Sequence, residues 1–272
     1  MAQTVTMVIR DPVTDEVDYS FTEVPGIYGS YLASYVATAT DYDLTGAYPW
    51  ASYTVERGPG GNSYSIINRV VAVMDDGSTV QRDFGYFYAL GNTPRHYYDT
   101  FTATDSLGRL DSVTVIFQST IPSYGHTTNF SYKALDYDTA TGRLNYSYTT
   151  FRDGHTEAIQ YDAATGNKDY AVATYLYLPT AREELRALYD GRVVAEDFDA
   201  TTGLLDYAYI IWPDGRTLSQ DYDAQGRLDY AIERFADGRM IVTDYDLAGT
   251  QPGDSYSIAY DAAGLIAGTT VL

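Results

Sequence analysis

Between residues 190 and 246 the chain writes one unit of about two dozen residues almost twice and begins it a third time. An internal repeat at that period constrains the architecture before any single residue does, because one such unit is too small to bury a face alone. Asp-Gly pairs stand at Asp190-Gly191, Asp214-Gly215 and Asp237-Gly238. Each is followed by eight residues that end in an aromatic and an Asp: Phe198-Asp199, Tyr222-Asp223 and Tyr245-Asp246. The same spacing leads from Asp153-Gly154 to Tyr161-Asp162, and from Asp76-Gly77 to Phe84, where Gly85 replaces the Asp. The second half of the unit is an acidic turn that closes on Gly and runs into Leu-Asp-Tyr. It recurs at residues 139–146, 200–207 and 224–230, with fainter copies at 106–112 and 11–19.

Asp-Gly between two alternating runs signals a hairpin, and the pattern predicts two-residue type I′ turns with positive φ at both central positions. The expected fold is all-β: an antiparallel β-meander of hairpin repeats forming a wrapped or open sheet. With no break in composition, residues 1–272 read as a single β-repeat domain: an irregular half over 1–133, regular repeats over 134–261 and a tail over 262–272. Between Asp153 and Asp190 the spacing is longer by about half a unit, and Thr180 as N-cap with Glu183 three residues on predicts one short helix near 180–188.

Alternation assigns faces. Leu144, Tyr146 and Tyr148 share one side of a strand, as do Leu205, Tyr207, Tyr209 and Ile211, and Leu228, Tyr230 and Ile232. On the return strands Val194 and Phe198, Leu218 and Tyr222, and Ile241 and Tyr245 share a side, while Asp197, Asp221 and Asp244 lie opposite beside small residues. This predicts one aromatic–aliphatic face and one thin acidic face, with Tyr stacked on Tyr across strands. Tyr146, Tyr148, Tyr207, Tyr209 and Tyr230 are the candidate binding ladder.

Charge narrows the partners. Lys plus Arg number 17 against 37 Asp plus Glu, a formal charge of −20, so nucleic acid and anionic membrane are disfavoured. No apolar run approaches a membrane helix, so no membrane insertion is expected. With no Cys, disulfides, thiol nucleophiles and zinc–thiolate sites are excluded. The first residues carry no basic stretch followed by an apolar run, and the tail over 262–272 is small and apolar. These features suit an extracellular or cell-surface protein exported by a non-Sec, type I-like route, and they are shared with cytoplasmic proteins.

The segments 221–230 and 136–146 resemble the YD (RHS-type) repeat, in which Tyr-Asp and a short spacer precede Gly-Arg-Leu. The matching residues are Tyr222, Asp223, Gly226, Arg227 and Leu228, and Tyr137, Asp138, Gly142, Arg143 and Leu144. The copy at Phe198 has Leu204 in place of Arg, and the one at Tyr161 has Asn167 and Lys168 where Arg-Leu is expected. The resemblance implies a β-sheet scaffold of extracellular, structural bias. This chain is far shorter than the toxin-enclosing shells of that family, so toxin delivery does not carry over.

Site-like chemistry is sparse. Asp221, Asp223 and Asp229, with Gly226 between them, echo a calcium loop, although Ile232 stands where the bidentate acid belongs. They define a weak calcium site to test against their simpler role as turn formers. His155 occupies the slot filled elsewhere by Arg192, Arg216 and Arg239 and reads as turn decoration. His96 and His126, near Tyr97, Tyr98, Asp99 and Tyr124, could supply a Tyr/His acid–base pair, but no second constellation supports an enzyme. Residues 58–62 lack the Lys of a phosphate loop and read as a hairpin loop. The Arg residues following Gly108, Gly142 and Gly226 are expected to pair with acids on neighbouring strands. Two functions fit this pattern: a structural or adhesive protein that assembles into a homo-oligomer or filament through sheet edges, with residues 4–9 or 265–272 as donor strand, or a module that binds surface glycans on Tyr faces.

Overall fold

The computed structural model describes residues 4–28, 31–59, 65–88, 94–117, 130–176, 190–245 and 255–271. All regular structure among them is β-strand. The helix expected near 180–188 lies outside the described residues. The strands fall into two compact units, Met1–Arg143 and Leu144–Leu272.

The first unit holds β1 (Val5–Arg10), β2 (Val17–Tyr28), β3 (Tyr31–Tyr42), β4 (Trp50–Pro59), β5 (Ser65–Met74), β6 (Thr79–Tyr88), β7 (Pro94–Thr104), β8 (Leu110–Phe117) and β9 (Phe130–Tyr137). The second holds β10 (Leu144–Phe151), β11 (Thr156–Tyr161), β12 (Lys168–Thr174), β13 (Val193–Phe198), β14 (Leu205–Ile211), β15 (Thr217–Tyr222), β16 (Leu228–Arg234), β17 (Met240–Asp244), β18 (Tyr256–Tyr260) and β19 (Ile266–Val271). Within each unit successive strands pair antiparallel, as a meander requires. Residues 4–9, expected as a donor strand, form most of β1 and pair with β2 of the same chain.

The Asp-Gly pairs at Asp76, Asp153, Asp214 and Asp237 do form hairpin turns, but not of type I′. Gly77 has φ 84°, whereas the one non-glycine residue with positive φ among the described residues is Asp15. The Gly77 N–H donates to the Met74 carbonyl at 2.9 Å and the Met74 N–H to the Ser78 carbonyl at 2.8 Å. That is a type I turn followed by a left-handed glycine, the three-residue hairpin loop. Gly154, Gly215 and Gly238 repeat it against Phe151, Trp212 and Phe235. The Asp avoids the left-handed region, which is costly for a residue with a Cβ, and instead accepts from the N–H two residues on. Asp76 Oδ1 takes Ser78 N–H at 2.8 Å, and Asp214 Oδ1 takes Arg216 N–H at 2.9 Å.

Acidic turns come in two lengths. Gly108, Gly226 and Gly264 donate to the carbonyl of the Asp three residues back. Gly142, Gly166 and Gly203 reach four residues back, each at 2.7 Å. In the longer form the added residue helps close the loop: Thr141, Thr165 and Thr202 each give their N–H and hydroxyl to Oδ1 of the leading Asp. The faint copy at Asp11 is this longer turn, with Thr14 in the Thr place and Asp15, at φ 62°, in the glycine place. Arg109 and Arg227 bond back to Asp105 and Asp223 of their own turns, at 2.7 and 2.8 Å, and the Arg109 charge also favours ionised Asp138 beyond the neighbouring strand. The folded turn brings the pair into reach before any other strand does.

The Leu-Asp-Tyr motif also has a geometric meaning. In the pairing of β15 with β16, Tyr222 faces Leu228 and Asp221 faces Tyr230, which leaves Asp229 as the unpaired extra residue of a bulge. Asp206 between Leu205 and Tyr207, Asp169 between Lys168 and Tyr170, and Asp111 between Leu110 and Ser112 fall in the same place. These copies therefore restart their alternation at one Asp, and Ala267 takes the same place between Ile266 and Gly268 in β19.

Burial is thin. Among the described residues the buried apolar side chains are Ile159, Ala171 and Ala208, with Ser147 and Thr149 beside them. Ser147, Ile159, Ala171, Glu196, Ala208, Gln220 and Ala231 form one row across β10 to β16. Among the described residues of the first unit the most buried side chain is Asp99, 1% exposed, which accepts from Arg82 Nη2 at 3.0 Å. The Arg82 guanidinium lies 4.3 Å from the Phe84 ring centroid and 5.1 Å from that of Phe101, so its charge is held by two ring faces and one carboxylate. Nearby, Gly85 leaves room for its cross-strand partner: a Cβ there would come within 2.2 Å of the Tyr98 ring.

The turn at Asp11 supplies a direct test of the left-handed position. Replacing Asp15 with Gly should raise the melting temperature by about 1–2 °C, whereas Asp15→Val should lower it, as read by circular dichroism. Equal melting temperatures in all three would show that the turn is not formed as described.

Candidate functional site

Directly opposed residues in a sheet share a face. Following the register through the second unit gives one continuous row: Tyr146, Gln160, Tyr170, Asp197, Tyr207, Asp221, Tyr230, Asp244, Tyr256. The tyrosines stand on β10, β12, β14, β16 and β18, and the polar residues on the strands between them. The first unit repeats the motif briefly, with Tyr19, Asp41 and Tyr53 in register on β2, β3 and β4.

This overturns two expectations. Tyr is not stacked on Tyr across neighbouring strands; it faces a carboxylate or amide, and the next Tyr is two strands away, about 9.5 Å. Nor are the aromatic and acidic rows on opposite faces, because Tyr230 is directly opposite both Asp221 and Asp244. The bulge is the reason: it inserts a residue between Leu and Tyr, so alternation counted straight through Leu-Asp-Tyr loses the phase relative to the partner strand.

Of the candidate ladder, Tyr146, Tyr207 and Tyr230 lie in this row and are 41%, 39% and 36% exposed. Tyr170, 42% exposed, and Tyr256 join them. Both were hidden in the sequence because Lys168 and Ser255 replace the Leu and Asp of the motif that announces the others. Tyr148 and Tyr209 belong to the neighbouring row on the same face, Tyr148, Ala158, Val172, Ala195, Tyr209, Ser219, Ile232, where small and branched residues separate them. They form a half-buried shoulder beside the exposed row.

The electrostatics of the row are visible at its far end. The negative charge of Asp244, with desolvation and a hydrogen bond from the phenol to that carboxylate adding to it, holds the Tyr256 hydroxyl above its usual titration range. Tyr222 is likewise pushed up, by burial first and then by Glu196.

The three carboxylates of the calcium-like loop do not converge. Asp221 belongs to the Tyr row, and Asp229 is the bulge residue. Asp223 spends both oxygens within its own turn, on Gln225 N–H, Arg227 N–H and the Arg227 guanidinium. Burial raises its pKa, yet those hydrogen bonds outweigh the effect and leave the carboxyl below its ordinary value. Among the described residues no group of three or more acidic or His side chains is placed to hold a metal ion. His96 lies on β7 opposite Tyr86 in the register, and His126 and Tyr124 lie outside the described residues. Gly58 and Pro59 end β4, paired with Ile66 and Ser65 of β5, and residues 60–62 lie outside the described residues.

A second ordered feature runs along the Asp-Gly ends of the second unit. The Arg216 guanidinium lies 4.0 Å from the Trp212 ring and Arg239 lies 5.0 Å from Phe235. Arg192 lies 4.3 Å from Tyr175, whose ring stacks on His155 at 5.5 Å, and His155 in turn stacks on Phe151 at 3.8 Å. His155 also meets Asp153 through Nδ1. The Arg/His slot is thus a set of cation and imidazole contacts that clamp the aromatic residue preceding each turn. An aromatic three residues before Gly154, Gly215 and Gly238 was its signal in the sequence, whereas Tyr175 stands sixteen residues before Gly191 and carried none.

Asp244→Asn should lower the titration midpoint of Tyr256 toward the ordinary phenol value of 10.0, because the charge that opposes phenolate formation is gone. Ring carbon shifts followed by NMR would read this; an unchanged midpoint would show that the two groups are not adjacent. The chain matches no protein-family model, and no curated protein matches it.

Proposed function

We propose that this protein is a non-catalytic β-repeat scaffold, acting outside the cell or at its surface, whose Tyr/Asp face binds polysaccharide. The observation that carries the reading is the in-register row of five tyrosines with hydrogen-bonding side chains set between them. Sugar rings pack their C–H faces on aromatic rings while their hydroxyls need acceptors at the rim, and this row alternates the two. A spacing of about 9.5 Å between rings suits an extended pyranose chain that meets one Tyr per disaccharide. Roles at turns and bulges account for many of the remaining polar residues, which supports a non-catalytic reading. The kinship proposed with YD repeats has a parallel support. Tyr222 and Leu228 pair across the strands, Asp223 and Gly226 make the turn between them, and Arg227 bonds Asp223, so the motif is one closed hairpin.

A panel of plant, fungal and bacterial polysaccharides tested by affinity electrophoresis should include a ligand that retards the protein. The double variant Tyr207→Ala/Tyr230→Ala should weaken that binding about tenfold. Retention by none of them, or equal retention of the variant, would sink the reading.

A second reading, self-assembly through sheet edges, is favoured by β19. Its residues are all exposed, none is charged, and Ile266 and Val271, with Leu265 just before the strand, stand out into solvent. Such a strand lacks the Lys, Pro or inward charge that usually protects an edge. Sedimentation at rising concentration should show association that Ile266→Lys/Val271→Lys abolishes; a wild-type chain that stays monomeric throughout would refute it.

A further inference from the structure

The row is not chemically neutral, and its charge points to a narrower ligand than polysaccharide in general. Asp197 and Asp221 are exposed on either side of Tyr207, and neither has a hydrogen-bond or ion-pair partner among the described residues. Asp244 follows on β17, bonded by the Tyr256 phenol. Like-charged carboxylates on alternate strands, about 9.5 Å apart, repel one another weakly at physiological salt and are not needed to hold the sheet, since their backbone groups already carry the ladder. No Lys or Arg stands in the row. The nearest cation placed on that face by the register is Arg234, opposite Thr217 and Met240 and about 13 Å along β16 from Tyr230. Lys168 turns instead to the Phe198 ring.

We infer that the face selects an amine-bearing polysaccharide, a glucosamine-type chain lying across the strands, with sugar rings on Tyr207, Tyr230 and Tyr256 and ammonium groups on Asp197, Asp221 and Asp244. This rests on the glycan reading above and deepens it. Two repeats on the page agree in period: rings recur every second strand, and carboxylates recur every second strand between them. An extended ligand carrying both a flat ring and a positive charge at regular intervals satisfies both series at once. A neutral glycan would leave the carboxylates to compete with water, and a polyanion would be repelled by them and by a net charge of −20.

The test compares three probes by titration calorimetry on the full chain at low and physiological salt: a fully deacetylated glucosamine hexamer, its N-acetylated counterpart, and an oligolysine of equal charge. The glucosamine hexamer should bind about tenfold more tightly than the acetylated one at low salt, and the difference should shrink as salt rises. The triple variant Asp197→Asn/Asp221→Asn/Asp244→Asn should erase the preference. A control with the same charge change elsewhere, Glu16→Gln/Asp75→Asn/Asp111→Asn, should keep it. Equal binding of the two hexamers overturns the inference while leaving a glycan-binding face intact. Binding of neither hexamer removes the glycan reading itself. Oligolysine binding as tightly as the glucosamine hexamer, or a preference that survives the triple variant, overturns the inference in favour of charge attraction without ring recognition.

Discussion

Register is the quantity on which the rest of this structure depends, because a sheet with so little buried apolar area must be held in phase by its backbone ladder and its ends. Ile159, Ala171 and Ala208 are the buried apolar residues among those described, and two of the three are as small as a Cβ allows. A one-residue slip in such a sheet would change few core contacts but would turn every side chain to the other face. What prevents it is the pair of devices at the strand ends: a left-handed glycine at each turn, and an unpaired Asp in the bulges. Both are local, and both recur from copy to copy.

Charge is distributed by the same logic. Much of the acidity resides in turn Asp residues whose carboxylates accept backbone N–H groups, and these hydrogen bonds favour the ionised form. Asp43 is the clearest case: the Tyr48 N–H, with further bonds from Thr45 and Ala47, brings its pKa down to about 2 against the opposing effect of desolvation. Asp11, Asp138 and Asp199 are lowered by equivalent bonds from Thr14, Thr141 and Thr202. The acidic composition thus includes both carboxylates consumed in building turns and carboxylates left on the Tyr row.

The sequence exposed the meander, the turn positions and the repeat period, because Asp-Gly and the acidic Gly turns are local signals that need no tertiary partner. It concealed the conformation of those turns: Asp-Gly is shared by type I′ and by type I followed by a left-handed glycine, and only the backbone angles of Asp76 or Asp214 separate them. Face assignment failed for a related reason. Alternation is a reliable guide within an unbroken strand, but Asp206 and Asp229 interrupt it in the middle of the motif used to start the count. Linear spacing also hides how closely a folded loop returns on itself, so the bonds of Arg109 and Arg227 to the Asp of their own turns are not visible in it. Of the site, Tyr146, Tyr207 and Tyr230 were legible through Leu-Asn-Tyr and Leu-Asp-Tyr, whereas Tyr170 and Tyr256 became visible only through their cross-strand partners.

The two acidic turn lengths have an implication for how such a chain tolerates change. In the shorter form the Asp223 N–H closes on the Arg227 carbonyl, and in the longer form the Asp138 N–H closes on the Arg143 carbonyl. The base of the hairpin is the same bond in both, so an added residue is confined beyond it and never reaches the strands. Loop length at this end is therefore decoupled from the phase of the face. An ancestral gene could lengthen or shorten these tips by duplication error without scrambling the pattern displayed on the sheet, which makes the acidic edge the place where lineages of this architecture are free to diverge.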